Sequence, residues 1–288
     1  MSEPIVHDYC RPFLFEHLAI RGAFVQLNDS WREMQAGRGY PSAVRDLLGE
    51  MAAVTVLIAA NLKQPGRMTF QLKGEGPVSL LVLDCDRELN IKGMARCAPI
   101  VEPAPVPELL GHGQLVLTLD VAALRHPYQS LVPLDGSSIA AIFEHYLERS
   151  EQQPARLALA ATAEVAAGLF LQKLPDADRQ DADGWNRVTH LAYTLRAEEL
   201  ITLPTIKLLT RLFPEEDIRV FDPRPVRYHC PRDWAKVHQM LRGLGRRECE
   251  AILREHGVIR IQDEICNQEY VVDAAALEHV FNPEDTAT

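Results

Sequence analysis

The sequence has little of what would mark a membrane protein, a nucleic-acid binder or a hydrolase. No apolar stretch reaches the roughly eighteen residues a spanning helix needs, and the start, Met1-Ser2-Glu3-Pro4, is neither basic nor apolar. A cytoplasmic protein with no membrane partner is expected. Basic residues are outnumbered: 30 Lys and Arg against 40 Asp and Glu leave a formal net charge of −10. That balance opposes binding to a phosphate backbone, so nucleic acid is not an expected partner. The glycines of 73–77 and of Gly111-His112-Gly113 lack both the Gly-Lys-Ser/Thr of a phosphate loop and the dinucleotide fingerprint. They read as tight turns between strands. The histidines form no H-E-x-x-H, and Ser137-Ser138 has no nucleophile-elbow context. No catalytic residue is assigned and no enzyme is expected.

What is there supports well-buried cores: 288 residues, 47% of them apolar, suffice for one large domain and a smaller one. Pro41 opens a helix in which Val44, Leu47, Leu48, Met51, Val54, Thr55 and Ile58 recur at helical spacing. Met68, Phe70 and Leu72 alternate with polar neighbours, and 79–84, 114–120, 156–161 and 168–174 are short apolar runs bounded by Gly, Pro and Asp. These are strands. Asp135-Gly136 marks a turn, after which Ser137 or Ser138 caps a helix carrying Ile139, Ile142, Phe143, Tyr146 and Leu147 on its inner face. The fold class is α+β: a large N-terminal domain, 1–175, of sheets with covering helices.

After Pro175 the composition turns polar and acidic over 176–184, which reads as a boundary. Two helices follow in a linker, 176–225, one carrying Trp185, Val188, Leu191 and Leu195, and one started by Pro204 and lined by Ile206, Leu209, Leu212 and Phe213. Their apolar faces are narrow, so they must be docked on a neighbour. A module of 226–288 completes the chain: a helix after Asp233, a second through Cys249 ending at Gly257, a hairpin, and a short last helix.

Near the end of the chain stands V-R-Y-H-C-P-R and, further on, I-Q-D-E-I-C-N-Q-E-Y. A four-thiolate zinc site would place C-x-C and C-x-x-C here, but the slots read Cys230-x-Arg232 and Asp263-x-x-Cys266. Elsewhere the chain carries Phe13-Leu14-Phe15-Glu16 with Arg21-Gly22, then Tyr40-Pro41, Phe70 to Pro77, Gly111-His112-Gly113, Tyr128-Gln129 and Asp135-Gly136. The run from Tyr146 to Pro154, Leu200 to Pro204 and Phe221-Asp222-Pro223 follow. In that order they resemble the bacterial redox-regulated heat-shock holdase family, heat-shock protein thirty-three (Hsp33), over nearly the whole chain.

The resemblance implies an ATP-independent chaperone that binds unfolded or partly folded clients under stress, forms homodimers when active, and is switched when oxidation ejects zinc and unfolds the linker. Here the switch is degenerate. Zinc, if bound, would rest on Cys230, Cys266 and Asp263, with His229 as a substitute that points away from its neighbour Cys230, so no cofactor is expected. Convergence on a former metal position would instead bring Arg232 and Asp263 within ion-pair reach, and Cys230 and Cys266 close enough for a disulfide. Such a holdase would be constitutively primed, or switched by heat or by oxidation of basic side chains. Client-binding residues would be Trp185, Val188, Leu191, Leu195, Ile206, Leu209, Leu212 and Phe213, for which ordinary core packing is the other reading. Cys249 reads as a buried apolar residue, as do Cys85 and Cys97, whereas Cys10, near the N-terminus, is expected to be exposed and reactive. Two rivals stand beside the chaperone: a subunit with one fixed partner, and an enzyme using a cleft of the first domain.

Overall fold

The computed structural model describes residues 8–62, 66–121, 126–134 and 136–282. Asp135, half of the expected Asp135-Gly136 turn, lies outside them. The chain divides into two compact units, 1–229 and 230–288.

In the first unit the elements run β1 (Tyr9–Phe15), β2 (Ile20–Leu27), α1 (Asp29–Gln35), α2 (Ser42–Ala60), β3 (Gly66–Gly74), β4 (Val78–Cys85) and β5 (Asn90–Cys97). They continue with α3 (Val106–Leu110), β6 (Gly113–Val121), β7 (Tyr128–Pro133), α4 (Ile139–Glu151), β8 (Ala155–Ala161) and β9 (Ala166–Lys173). Then come α5 (Ala177–Gln180), α6 (Gly184–Tyr193), α7 (Ala197–Thr202), α8 (Thr205–Leu212), β10 (Ile218–Val220), β11 (Arg224–Pro225) and β12 (Arg227–Tyr228). One sheet has the order β10-β1-β2-β9-β8, with β11 also on β1; the other has the order β12-β5-β4-β3-β6-β7. The helix expected from Pro41 is α2, buried on nearly every side because it packs on strands of both sheets. At α4, Ser138 is the cap that forms, its Oγ accepting from Ala141 N–H at 3.2 Å.

Side chains alternate across a strand, so the first sheet has an inner and an outer face, and both are buried. Cys10, Ala23, Val25, Leu27, Ala166 and Phe170 point to the main core around α2. Phe13, Phe15, Ile20, Phe24, Ala167, Leu169 and Leu171 point the other way and are just as buried. The expected linker covers them.

The segment ending the linker adds strands rather than leaving the sheet. β10 pairs antiparallel with β1, setting Phe13 opposite Val220, and β12 pairs in parallel with β5. Val226, the expected start of the last module, is therefore buried in the first unit's core, and the second unit begins at Cys230.

The second unit holds α9 (Trp234–Leu244), α10 (Arg246–His256), β13 (Ile259–Asp263), β14 (Gln268–Val272) and α11 (Ala274–Phe281). Asp233 caps α9 by accepting from Lys236 N–H at 2.9 Å, and Gly257, at φ 78°, ends α10 in the left-handed conformation that favours glycine. Val237, Leu241, Cys249, Ile259, Tyr270, Val272, Leu277 and Val280 form a small core of its own.

Candidate functional site

Two places carry the expected functional residues: the seam between the first sheet and the linker helices, and the half-tetrad of cysteines.

At the seam, α6, α7 and α8 lay Val188, Ala192, Leu200, Leu208, Leu209, Leu212 and Phe213 on the outer face of the first sheet. Phe213 meets Phe15 edge to face at 5.1 Å between ring centroids, and Phe15 meets Phe13 at 5.9 Å. Gly22 sits opposite Phe13, whose ring lies where a β-carbon on Gly22 would be, 2.2 Å away. Any larger residue would lift that ring off the sheet. Trp185, Leu191 and Leu195 pack at the edge of this cluster, partly buried. Ile206 does not: it is 56% exposed. In α8 the inward direction is set by Thr205, Leu208, Leu209 and Leu212, and at about 100° per residue Ile206 falls to the side of that stripe. The expectation of Ile206 at the docked face is corrected accordingly.

Few polar contacts support the seam. Tyr9 Oη lies 3.0 Å from Oγ1 of the buried Thr205, and Gln26 Nε2 donates to the Ile201 carbonyl at 3.3 Å. Arg187 of α6 donates to Glu216 at 2.7 Å and to Asp181 at 3.0 Å, tying the two ends of the linker together. Those hydrogen bonds, the one to Glu216 first, hold the Arg187 guanidinium in its charged form. Asp181 is held below the usual carboxylate range chiefly by the backbone N–H of Asp183, then by Arg187. Glu199 pairs with Arg211.

At the second place the structure joins Cys230 and Cys266 in a disulfide, with Cα atoms 5.6 Å apart across a separation of 36 residues. The segment from Cys230 to Asp233 is pinned to β14: Gln268 Nε2 donates to the Cys230 carbonyl at 2.7 Å, and Asp233 N–H donates to Tyr270 Oη at 2.8 Å. Arg232 and Asp263 are not brought together. Arg232 donates to the Glu269 carbonyl at 3.1 Å and lies 5.3 Å from the Tyr270 ring centroid. Asp263 turns back on its own hairpin, accepting from the N–H groups of Ile265 and Cys266 at 3.0 and 3.2 Å. Two local backbone donors satisfy Asp263 within its own turn, and Arg232 finds its acceptor on β14, so neither exposed side chain needs the other, and an exposed bridge would have contributed little. The expected ion pair is thus corrected.

Zinc does not fit this donor set. Both sulfurs are spent on each other, the third slot is a cation, and the Asp263 carboxylate is committed to backbone donors. His229, the substitute ligand, belongs to the first unit, where its backbone N–H donates to the Ile91 carbonyl at 3.1 Å. Among the described residues no three His, Cys, Asp or Glu side chains are grouped to hold a metal. Of the other cysteines, Cys10 is fully buried rather than exposed, and burial pushes its thiol up to about 12, so it is not a reactive thiol. Its position on the inward face of β1 decides this, and distance from the N-terminus gave no hint of it. Cys85 and Cys249 are buried as expected.

The family model described as Hsp33 protein matches residues 8–273. The chain belongs to the Hsp33 family. Among its relatives are proteins called 33 kDa chaperonin, from Methylobacillus flagellatus, 39% identical with 97% of this chain and 96% of that protein covered, and from Nitrosococcus oceani, 39% identical with 95% and 94% covered. The Hsp33 fold is met again in the crystal structure of the 33 kDa chaperonin of Thermotoga maritima, at a TM-score of 0.81 and 22% identity, with 97% of this chain and all of that one covered. Within the Hsp33 family, then, this member carries two cysteines where a four-thiolate set would need four.

Proposed function

We propose that this protein is an ATP-independent chaperone, a holdase, whose client surface is the outer face of the first sheet together with the inner faces of α6–α8. One observation carries the reading: a complete apolar core lies between a sheet face and helices too short to stand alone. Helices of ten, six and eight residues are marginal in water, so α6, α7 and α8 persist through what they touch. Undocking them exposes Phe13, Phe15, Phe24, Leu169 and Leu171 on one side and an apolar, adaptable segment on the other, which is the surface an unfolding protein requires. In this reading 1–175 is the platform, 176–225 the cover, and the terminal module a support that relies on a disulfide and its own core instead of zinc. The redox sign is then reversed relative to a zinc-ejecting switch: oxidation staples the module and reduction loosens it.

The test is aggregation of a heat-unfolded client followed by light scattering, without nucleotide, for reduced, oxidised and prewarmed protein. Suppression in at least one of these is expected; none in any of them would sink the holdase reading. A single stoichiometric companion in pull-downs, in place of many clients, would favour the fixed-partner alternative.

A further inference from the structure

Along β1 the side chains of Tyr9, Arg11, Phe13 and Phe15 share the outer face of the first sheet, the face that α6–α8 cover. Arg11 is the one charge in that row. In register it stands opposite Phe24, a fully buried member of the seam, and its guanidinium carbon lies 5.6 Å from the ring centroid of Tyr9, whose Oη reaches Thr205 at the start of α8. A cation is thus carried to the edge of an apolar seam. Its Nε is buried and has no hydrogen-bond partner among the described residues. No carboxylate answers it: α8 carries Lys207 and Arg211 and no acidic residue, and among the described residues no ion pair joins Arg11 to Asp222, which is exposed on the same edge between β10 and β11. The Tyr9 ring attracts the charge but offers Nε no acceptor in the ring plane.

We propose that Arg11 is a counterweight to docking of the linker: closing the cover takes Nε out of water and gives it no partner, whereas opening returns the guanidinium to solvent. A buried donor left unpaired loses its hydration with nothing in exchange, so it weighs against the closed state alone. The apolar contacts hold the cover, and Arg11 keeps that hold reversible. Its consequence for clients rests on the client-surface reading above; its effect on docking does not.

Arg11→Met in the full chain keeps an unbranched apolar stem and removes the guanidinium. Amides of 197–213 should then exchange about tenfold more slowly than in wild type, the effect of relieving one buried donor, and protection of a heat-unfolded client should decline. Arg11→Leu should act in the same direction, and Arg11→Lys, whose flexible stem can carry its ammonium out to water, should fall between wild type and the apolar variants. A side chain that only packs would give the opposite sign, because shortening it would loosen the seam. Unchanged or faster exchange in both apolar variants, or failure of both to fold, overturns the counterweight. Slower exchange with client protection unchanged leaves the counterweight standing and places the client surface elsewhere.

Discussion

At the scale of single residues, burial decides what the ionisable groups do. Glu50 on α2 has its carboxyl pushed up to about 7, first by burial and then by repulsion from Asp46 one turn away. The folded chain therefore holds this proton more tightly than the unfolded chain, and stability falls as pH rises from about 4.5 through 7. Glu50→Gln should remove that fall: matched to wild type near pH 4, it should be the more stable protein at pH 8. The gain is about 1.4 kcal/mol for each pH unit over which the two states differ in protonation, read from urea melts at the two pH values. Identical pH profiles would show that Glu50 titrates as in water. Cys10 and Cys85, both raised by burial, should resist alkylation in the native protein and react only on unfolding. Mass spectrometry after brief iodoacetamide treatment checks this; rapid labelling of Cys10 would contradict its place on the inner face of β1.

At the scale of elements, the linker helices are the least self-sufficient part of the first unit. Leu209 points straight into the seam at 2% exposure, so Leu209→Glu would bury an unpaired carboxylate at a cost of several kcal/mol, more than a short helix can offset. Undocking is the expected response. Amides of 184–213 should exchange faster in this variant than in wild type while those of β2 and β9 stay protected, and client binding should rise. Loss of client binding with the linker still protected would mean that the seam is only a core. Ile206→Glu, on the exposed side of the same helix, should change neither.

At the scale of the whole molecule, the two units depend on different supports. The first has a large core spanning two six-stranded sheets and α2, whereas the second spans 230–288 and has a core of eight buried side chains. Units near sixty residues sit close to the lower limit for folding without a staple. For a loop closed over 36 residues the chain-entropy account gives a disulfide worth about 3–4 kcal/mol. Adding reductant, or replacing Cys266 by Ser, should thus speed hydrogen exchange throughout β13 and β14 and leave β3 and β4 unchanged. Equal protection with and without reductant would show that the small core suffices. Metal analysis of protein grown with added zinc should find less than one equivalent, because the donors are already committed.

The sequence by itself determined the elements whose signals are local: α2 from its Pro41 start and apolar recurrence, α9 from the Asp233 cap, α10 from its Gly257 end, the β13–β14 hairpin, and the family from motifs in order along the chain. Caps, turns and periodicity act over a few residues, so a reader of the chain meets their causes side by side. Tertiary structure decided the rest. β10 and β11 are strands because β1 offers its edge, not because three residues beside Pro223 and Pro225 prefer to extend. Ile206 points outward because the seam selects one stripe of α8, and spacing alone left the phase of that stripe open. Arg232 and Asp263, expected to face each other, are instead bonded to the Glu269 carbonyl and to the Ile265 and Cys266 amides, backbone partners that the hairpin fixes in place. The Cys230–Cys266 bond is the one that convergence on a former metal position leads one to expect, and the packing around Tyr270, Gln268 and the hairpin turn holds the two cysteines where it forms.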